Sequence, residues 1–230
     1  MKWKNWEALP KEMQNSQVRP YYDLLQSKRG TLVAKRIFDV VAAIMLLLVL
    51  WPVMAVVALL ITLDSPGGVF YRQERVTCYG KIFRIHKFRT MYRAKGEPGP
   101  QLTRESDKRI TKVGSFLRKC RLDELPQLLD VLAGDMSFVG TRPEVPRFVA
   151  AYTPEMYATL LLPAGITSRA SILFKDESRW LRNVEDIEQA YVEKVLPEKM
   201  VYNLQDVKKL SIWNDLKVML QTVVAVCKRG

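Results

Sequence analysis

An uncharged apolar run at residues 40–63 limits what this chain can fold into. The run is about 24 residues long, and a helix needs roughly 20 apolar residues to cross the hydrocarbon core of a bilayer. A buried helix of a soluble core is the alternative interpretation. Pro52 stands inside the run, and its ring has no N–H to donate and crowds the preceding turn. A helix at this position is therefore expected to kink.

The flanks of the run carry positive charge on both sides. The nearest four basic residues before it are Lys28, Arg29, Lys35 and Arg36, and the nearest four after it are Arg72, Arg75, Lys81 and Arg84. Positive charge marks the cytoplasmic side of a membrane segment, and the asymmetry that a single crossing shows is missing here. We therefore predict a re-entrant membrane helix, kinked at Pro52, with both ends in the cytoplasm. A plain tilted crossing is the alternative.

The composition indicates anionic partners. The formal net charge is +12 and the pI is about 9.7, which favours a membrane face, a phosphorylated substrate or nucleic acid. The apolar run and the lack of a recognised nucleic-acid-binding motif argue against nucleic acid. His86 is the only histidine and the three cysteines form no close pair, which argues against a zinc site, a Ser-His-Asp triad and a disulfide framework. Any chemistry must come from carboxylates, arginines, lysines and a hard metal ion.

The remaining pattern predicts an α+β fold that is mostly helical and contains a small β-hairpin. Strands are expected at 69–71 and 81–88 around a turn at Tyr79-Gly80, and a short helix opens at 113–117. Loops are expected at 94–107, 136–144 and 163–168. Helices are predicted at 154–162, at 185–195 with an end before Pro197, and at 212–227, where an apolar face packs on the core or lies on a membrane.

Two adjacent carboxylates, Asp123 and Glu124, stand at the predicted start of a helix. Pro126 suits its first turn, and an apolar stripe of leucines at spacings of three and four follows as far as Leu132. The stretch after a helix stop at Gly134 carries Gly140 and Arg142, a pair suited to phosphate because glycine admits close backbone approach and arginine binds through a fork. Capping of the helix by the two carboxylates is the alternative interpretation.

Six motifs occur in the order found in a known family. They are Lys35-Arg-Ile-Phe-Asp39, the membrane helix with its central Pro52, Phe70-Tyr-Arg-Gln-Glu-Arg75, Lys87-Phe-Arg-Thr-Met91, Arg118 with Leu122-Asp-Glu-Leu-Pro-Gln127, and Gly134-Asp-Met-Ser137 through Arg142-Pro143. Residues 35–170 thereby resemble the small monotopic phosphoglycosyl transferases, also called bacterial sugar transferases or polyprenyl-phosphate sugar-1-phosphate transferases.

The resemblance implies a membrane enzyme that moves a sugar-1-phosphate from a UDP-sugar to polyprenol (undecaprenol) phosphate and releases UMP. It implies the first membrane step of surface glycan biosynthesis, such as exopolysaccharide or lipopolysaccharide, at the cytoplasmic face of the bacterial inner membrane. On this basis the chain divides into a cytoplasmic lead-in at 1–34, a re-entrant helix at 35–66, and a compact cytoplasmic catalytic domain with amphipathic interfacial helices at 67–230.

The residue roles follow from the same resemblance. Asp123 is the expected nucleophile, forms a covalent phosphosugar in a ping-pong reaction, and is the expected ligand of the cofactor Mg²⁺. Glu124 is the expected second catalytic residue, as an organiser of metal or acceptor. Phosphates of the substrates are expected on four basic residues: Arg118, Arg142, Lys87 and Arg89. Such cations suit the reaction because negative oxygens shield the phosphorus atom that is attacked.

Three positions depart from the usual family pattern and leave the sugar open. Trp51 replaces the serine before the membrane proline, Gly140-Thr-Arg-Pro143 replaces Gly-Pro-Arg-Pro, and Ala164-Gly-Ile-Thr-Ser168 replaces Pro-Gly-Ile-Thr-Gly. The expected partners are the UDP-sugar, the polyprenol phosphate and anionic membrane lipid, without nucleic acid, and a homo-oligomer stays open. A non-catalytic membrane-anchored scaffold of a glycan assembly system is the alternative function.

Overall fold

The computed structural model describes residues 3–92, 107–175 and 186–227, and most of these residues are helical. The α-helices in chain order are α1 (Arg19–Ser27), α2 (Arg29–Asp64), α3 (Lys112–Lys119), α4 (Gln127–Ala133), α5 (Pro146–Val149), α6 (Arg169–Leu173), α7 (Ile187–Ala190), α8 (Leu196–Lys208) and α9 (Ile212–Cys227). The strands are β1 (Phe70–Val76), β2 (Ile82–Phe88), β3 (Met136–Val139) and β4 (Ala164–Thr167). The predicted α+β, mostly helical class is confirmed. The loop predicted at 94–107 lies, except for Asp107, outside the described residues.

Among the described residues, α2 is the one helix long and apolar enough to cross a membrane. It is 36 residues long and includes Pro52. Its buried residues recur at spacings of four (Lys35, Asp39 and Ala43, then Val57 and Ile61), so a single stripe faces the rest of the protein. The other sides expose large apolar side chains from Val33 to Leu63. The re-entrant path and the kink at Pro52 stay predictions.

The stripe of α2 packs on the rest of the protein along most of its length. Ala43 lies in a buried cluster with Phe83 and Val131, and Ile61 lies in another with Leu117. At the end of the helix, Asp64 Oδ2 accepts a hydrogen bond from the backbone N–H of Val113 at 3.2 Å. Both ends of α2 therefore contact one and the same folded body.

The predicted hairpin is confirmed. β1 and β2 are antiparallel, with Phe70 opposite Phe88 and Val76 opposite Ile82. Tyr79 and Gly80 turn the chain with positive φ angles of 57° and 73°, and glycine adopts such angles without steric cost. The alternation of a half-buried strand directs Phe83 and Ile85 to the core.

Two stretches that were expected to be loops form a parallel strand pair instead. β3 and β4 pair Met136 with Ala164 and Val139 with Thr167. Both strands are short and almost wholly buried, so neither has the alternation of apolar and polar residues that reveals a half-exposed strand. The loop predictions at 136–144 and 163–168 are therefore wrong where these strands lie.

Pro197 does not end helical structure. α7, a π-helical turn at Tyr191–Val195 and α8 follow without a break, and Pro197 lies in the first turn of α8, directly after the π-helical turn. The end predicted before Pro197 is wrong for this reason. The helix predicted at 154–162 is a 3-10 helix at Met156–Leu161, and the last helix, 212–227, is confirmed.

The N-terminal lead-in belongs to the main core. Tyr21, Tyr22 and Leu25 of α1 lie in a buried cluster with Phe148 and Tyr191. Burial of these side chains stabilises the fold mainly by removing apolar surface from water. The lead-in therefore packs on the same core as residues of the C-terminal part of the chain, and the domain boundary at residue 34 stays a prediction.

Candidate active site

The two carboxylates lie on a short 3-10 turn, Leu122–Glu124, between α3 and α4. α3 ends at Lys119, and Arg121 then adopts the left-handed conformation with φ of 58°. Few residues other than glycine do so, and such strained backbone is frequent at functional sites. α4 begins only at Gln127, after Pro126, and has no side-chain cap. Asp123 and Glu124 therefore precede the α-helix by one turn and do not cap it, which corrects the expected helix start and removes the capping alternative.

Glu124 is bound by three basic residues. Lys87 Nζ donates to Oε1 at 2.9 Å, and Arg142 donates to both carboxylate oxygens, with Nη1 at 3.3 Å from Oε2. Arg121 Nη1 lies 3.9 Å from Oε1. Burial by itself raises the pKa of Glu124, but the charges of Arg142, Lys87 and Arg121 outweigh burial and hold that pKa well below its usual range. Glu124 is therefore an anion with three cationic partners.

Asp123 has no such partner. Among the described residues Asp123 accepts no hydrogen bond and forms no ion pair, although its carboxyl group is largely surrounded by protein atoms. Burial, and then the charge of Glu124, raise the pKa of Asp123, while the charges of Lys87, Arg118 and Arg142 oppose the rise. Adjacent carboxylates whose surroundings shift their pKa values in opposite directions are suited to different roles.

Three of the four predicted phosphate-binding residues lie around the carboxylates. Lys87 and Arg142 contact Glu124 directly. Arg118 is half-buried, and its charge acts on Asp123. Arg121 completes the group: its backbone is left-handed, and its guanidinium lies near Glu124.

Arg89 is not part of this group. It is 6% exposed, and its guanidinium donates to the carbonyl oxygens of Ser65 and Pro66, both at 2.8 Å. These bonds hold the turn that follows α2. Both terminal nitrogens of Arg89 thus donate to carbonyl oxygens inside the protein, and phosphate binding by Arg89 stays a prediction.

His86 fixes the position of Lys87. The backbone N–H of His86 donates to Asp130 Oδ2 at 2.9 Å, and its ring Nδ1 lies 2.6 Å from Asp130 Oδ1. Asp130 is buried in α4. This double contact aligns β2 with α4, so that the next residue of the strand, Lys87, reaches Glu124. The single histidine is therefore a strand residue with a structural partner.

The other end of α4 is held by the membrane helix. Arg36 of α2 donates to the carbonyl oxygens of Val131 and Leu132 at 2.6 and 3.0 Å. The last carbonyls of a helix lack partners inside the helix, and a cation is favoured there. Gly134 ends α4 with φ of 89°, which is the predicted stop.

A buried polar cluster lies behind Arg142. Arg75 donates to the carbonyl oxygen of Pro143 at 2.9 Å. Glu144 Oε1 accepts from Tyr191 at 2.6 Å and from Lys199 at 3.3 Å, and Lys199 also donates to the Tyr191 hydroxyl at 2.7 Å. Burial raises the pKa of Glu144, but Lys199, the Tyr191 hydroxyl and Arg75 together lower it below the usual range. The cluster fixes the backbone next to Arg142, and the sequence interpretation missed it because its members are far apart in the chain.

The backbone before Arg142 passes another segment at very short range. A Cβ atom on Gly140 would lie 2.8 Å from Pro163 O and 3.1 Å from Gly165 N, and one on Gly165 would overlap the backbone of Gly140. Gly140 N donates to Thr167 O at 3.0 Å. Only glycine at both positions permits this crossing, which places Arg142 relative to β4.

The residues present fit a magnesium ion that is shared with a substrate. No cluster of three or more His, Cys, Asp or Glu exists among the described residues, so the protein alone offers no complete cage. Mg²⁺ is typically bound by one or two carboxylates together with substrate phosphates. Asp123 is the carboxylate whose oxygens have no protein partner there, whereas those of Glu124 are occupied by cations.

A cavity of about 240 Å³ opens beside Glu124. Its polar end contains Glu124, Arg121 and Arg142, and its remaining walls are mainly apolar. The apolar walls come from α2, α4, β3, β4, α6 and α9. The site therefore joins a cluster of cations to an apolar space next to the membrane helix.

The family described as "Bacterial sugar transferase" matches residues 30–229. The fold and the site define a class of protein in which a pair of carboxylates and several cations lie beside an apolar helix. These groups are suited to phosphate chemistry. The chain belongs to the bacterial sugar transferase family.

Individual relatives agree with this family. The UDP-glucose:undecaprenyl-phosphate glucose-1-phosphate transferase of Escherichia coli (strain K12) is 34% identical over 215 residues, which are 92% of this chain and 44% of that protein. The protein of the same name in Caulobacter vibrioides is 37% identical over 193 residues, 82% of this chain and 68% of the relative. The UDP-N-acetylgalactosamine-undecaprenyl-phosphate N-acetylgalactosaminephosphotransferase of Aeromonas hydrophila is 34% identical over 193 residues, 82% of this chain and 42% of the relative. The chain thus spans less than half the length of the first and third of these relatives.

Proposed function

We propose that this chain transfers a sugar-1-phosphate from a UDP-sugar to a polyprenyl phosphate such as undecaprenyl phosphate, with release of UMP. The observation that carries the proposal is the contrast between the two carboxylates: Glu124 is bound by Lys87, Arg121 and Arg142, while Asp123 has no partner among the described residues. The names of the relatives support the substrate classes. They differ in the sugar, and the sugar that this chain uses stays open.

In the first step, a carboxylate oxygen of Asp123 attacks the phosphorus atom that carries the sugar. The new Asp123–phosphorus bond forms as the bond to the oxygen of UMP breaks, and that oxygen leaves with the electron pair. Lys87, Arg118 and Arg142 stabilise the negative charge that moves onto the phosphate oxygens. A less stabilised carboxylate is the better nucleophile of the two, which is why Asp123 and not Glu124 receives this role.

In the second step, an oxygen of the acceptor phosphate attacks the same phosphorus atom, and the Asp123 carboxylate is released. A phosphate monoester has its second pKa near about 6, so it is mostly dianionic at neutral pH and needs no strong base. Glu124 keeps Arg142 and Lys87 in place for both steps. Asp123 would also hold Mg²⁺, which would supply charge neutralisation at the transferring group.

A monotopic arrangement at the cytoplasmic face of the inner membrane completes the proposal. Both ends of α2 contact the same folded body, through Arg36 near one end and Asp64 at the other. A polar body on one side of a bilayer reaches both ends of a helix only if the helix returns to that side. This supports a re-entrant path that bends at Pro52, with the exposed apolar sides of α2 in lipid, and with anionic lipid attracting the positive net charge.

The reaction is tested with detergent-solubilised protein, undecaprenyl phosphate and a panel of UDP-sugars, scored for UMP. The donor alone should permit exchange of labelled UMP into UDP-sugar, because the covalent step needs no acceptor, and the peptide that holds Asp123 should gain one sugar-phosphate. Asp123→Asn should abolish both signals with an unchanged unfolding temperature. Full activity of Asp123→Asn, after a check for deamidation, refutes the proposal, and UMP release by no UDP-sugar favours the scaffold alternative.

The membrane path is tested by cysteine labelling in intact cells after removal of native cysteines. Probes at Ser27 and Gly68 flank α2. Both should resist a membrane-impermeant reagent and react after lysis. Labelling of one of the two from outside shows a crossing helix and excludes the re-entrant path.

A further inference from the structure

The cavity beside Glu124 has one wall from the membrane helix and one from the C-terminal helix. α2 contributes Leu46 and Leu50, which are one helical turn apart and so lie on the same face. α9 contributes Thr222, Ala225 and Val226. The residues between these two walls are mostly apolar too: Leu125, Leu128, Phe138, Ile166 and Ile172.

The polar end of the cavity is basic. Arg121 and Arg142 meet there around Glu124, and Lys119 and Lys175 also line the cavity. Among the described lining residues, four cations thus stand against one carboxylate, a balance that favours an anionic group. The cavity therefore offers a cationic end at Glu124, the neighbour of Asp123, and an apolar body that extends towards α2.

We propose that this cavity holds the phosphate and the first isoprene units of the prenyl phosphate acceptor, and that α9 is the element that recognises the isoprenoid chain. The inference rests on the proposed function, to which it adds the place and the structural determinant of acceptor recognition. A volume of about 240 Å³ is below the roughly 300–1,000 Å³ usual for a small-molecule site. The cavity thus suits the phosphate end of the acceptor, while the rest of the chain stays in lipid along α2.

An amphiphile matches this space better than the nucleotide of the donor. A uracil base needs polar partners for its ring edge, because buried polar groups without hydrogen bonds are costly. The polar side chains away from the basic end are hydroxyls, and they are engaged: Thr167 and Thr222 bond each other at 2.7 Å, and Ser171 bonds Ser168 at 3.0 Å. An ordinary phospholipid is less suited at the basic end, since its phosphate diester has a single negative charge.

α9 is attached firmly enough to act as a wall. The bond between Thr222 and Thr167 ties its middle to β4. Near its start, the buried Asp215 pairs with Lys35 of α2 at 2.5 Å. The distance between the α2 wall and the α9 wall is therefore set by direct contacts, so the width of the cavity is a property of the folded protein.

The test fills the cavity from α9. Ala225→Trp places an indole in the cavity, and Val224→Trp is the matched control, because Val224 is the neighbouring residue, is 52% exposed and does not line the cavity. For Ala225→Trp we expect the KM for farnesyl phosphate to rise by at least about tenfold, while UMP exchange into UDP-sugar stays within about twofold. Val224→Trp should change neither value by more than about twofold.

Direct binding gives a second measurement that needs no turnover. Farnesyl phosphate should raise the unfolding temperature of the wild type more than dodecyl phosphate or inorganic phosphate does, since a ligand that binds the folded state stabilises it. Ala225→Trp should lose this difference. If that variant fails to fold, Ile172→Trp fills the cavity from α6 and is judged by the same measurement.

Three results overturn the inference. A parallel fall in UMP exchange shows that the donor occupies the cavity, and unchanged acceptor kinetics with unchanged protection show that no substrate does. Equal protection by farnesyl and dodecyl phosphate shows that the isoprenoid chain is not recognised. Absence of UMP exchange in the wild type refutes the covalent reaction instead, and farnesyl phosphate protection then still reports on the cavity.

Discussion

The crossing of Gly140 and Gly165 should control activity through Arg142. In Gly140→Ala the new Cβ would lie 2.8 Å from Pro163 O, and ordinary contact with such an atom is about 3.4 Å or more. The two backbones must then separate by about 0.6 Å. In Gly165→Ala the overlap with Gly140 is greater, and the separation must exceed about 1 Å.

A separation of this size is large enough to disturb the ion pair between Arg142 and Glu124. Arg142 is two residues from Gly140, and its Nη1 lies 3.3 Å from Glu124 Oε2, so a shift of this size stretches the ion pair beyond hydrogen-bond length. A misplacement of about 1 Å can cost about a hundredfold in rate. We therefore expect a loss of about tenfold for Gly140→Ala and about a hundredfold for Gly165→Ala, with about 1–3 kcal/mol of destabilisation from overpacking.

The assay is UMP release at saturating substrates, together with thermal unfolding in detergent. Gly30→Ala is the matched control, because a Cβ on Gly30 of α2 meets nothing within 4 Å and alanine is the better helix former by about 1 kcal/mol or less. It should keep full activity. Activity of Gly165→Ala within about threefold of the wild type would show that the crossing does not position Arg142, and the reasoning from its geometry would be wrong.

Three further predictions concern individual charges. Arg142→Lys and Arg118→Lys keep the charge but lose the guanidinium fork, and each should lower kcat/KM by at least about tenfold; unchanged kinetics in both would place the phosphates elsewhere. Arg89→Lys gives up one of the two bonds to Ser65 and Pro66, so it should lower the unfolding temperature while kcat per folded molecule stays the same, and a selective kcat loss would contradict the structural role. Glu144 has a folded-state pKa below its unfolded value, so its contribution to stability is present above about pH 4.3 and is lost as the pH falls through the folded pKa. The difference in unfolding temperature between the wild type and Glu144→Gln should therefore shrink on acidification, and a difference independent of pH would refute this origin.

The elements that the sequence predicted correctly are those that a pattern of neighbouring residues indicates. The apolar run predicted α2, the turn at Tyr79-Gly80 predicted the hairpin, and Gly134 predicted the end of α4. β3 and β4 were not predicted, because a short strand buried on both faces has no alternation. Arg89 follows the end of β2 at Phe88, and its bonds to Ser65 and Pro66 join residues far apart in the chain, which no local pattern indicates.

The site was predictable only in part for the same reason. Motifs drew attention to Asp123, Glu124 and Arg142, but the contrast between the two carboxylates depends on which cations reach which oxygen. The support of Arg142 by Glu144, Tyr191 and Lys199 joins residues that are far apart in the chain. Likewise, the α9 wall of the cavity has no local signature, since an apolar helix face predicts burial without naming what it covers.

The contacts of α2 limit how this protein can be divided by engineering. Arg36 supplies donors to the last carbonyls of α4, and Asp39 Oδ1 accepts from the backbone N–H of Phe138 at 3.2 Å. Val57 and Ile61 fill part of a core shared with Leu117. A version of the protein cut after α2 would leave these groups unpaired and that core open, and an unrelated membrane anchor would not restore them. The helix is thus no interchangeable tether, because the residues that follow it depend on α2 for hydrogen-bond partners and for part of their core.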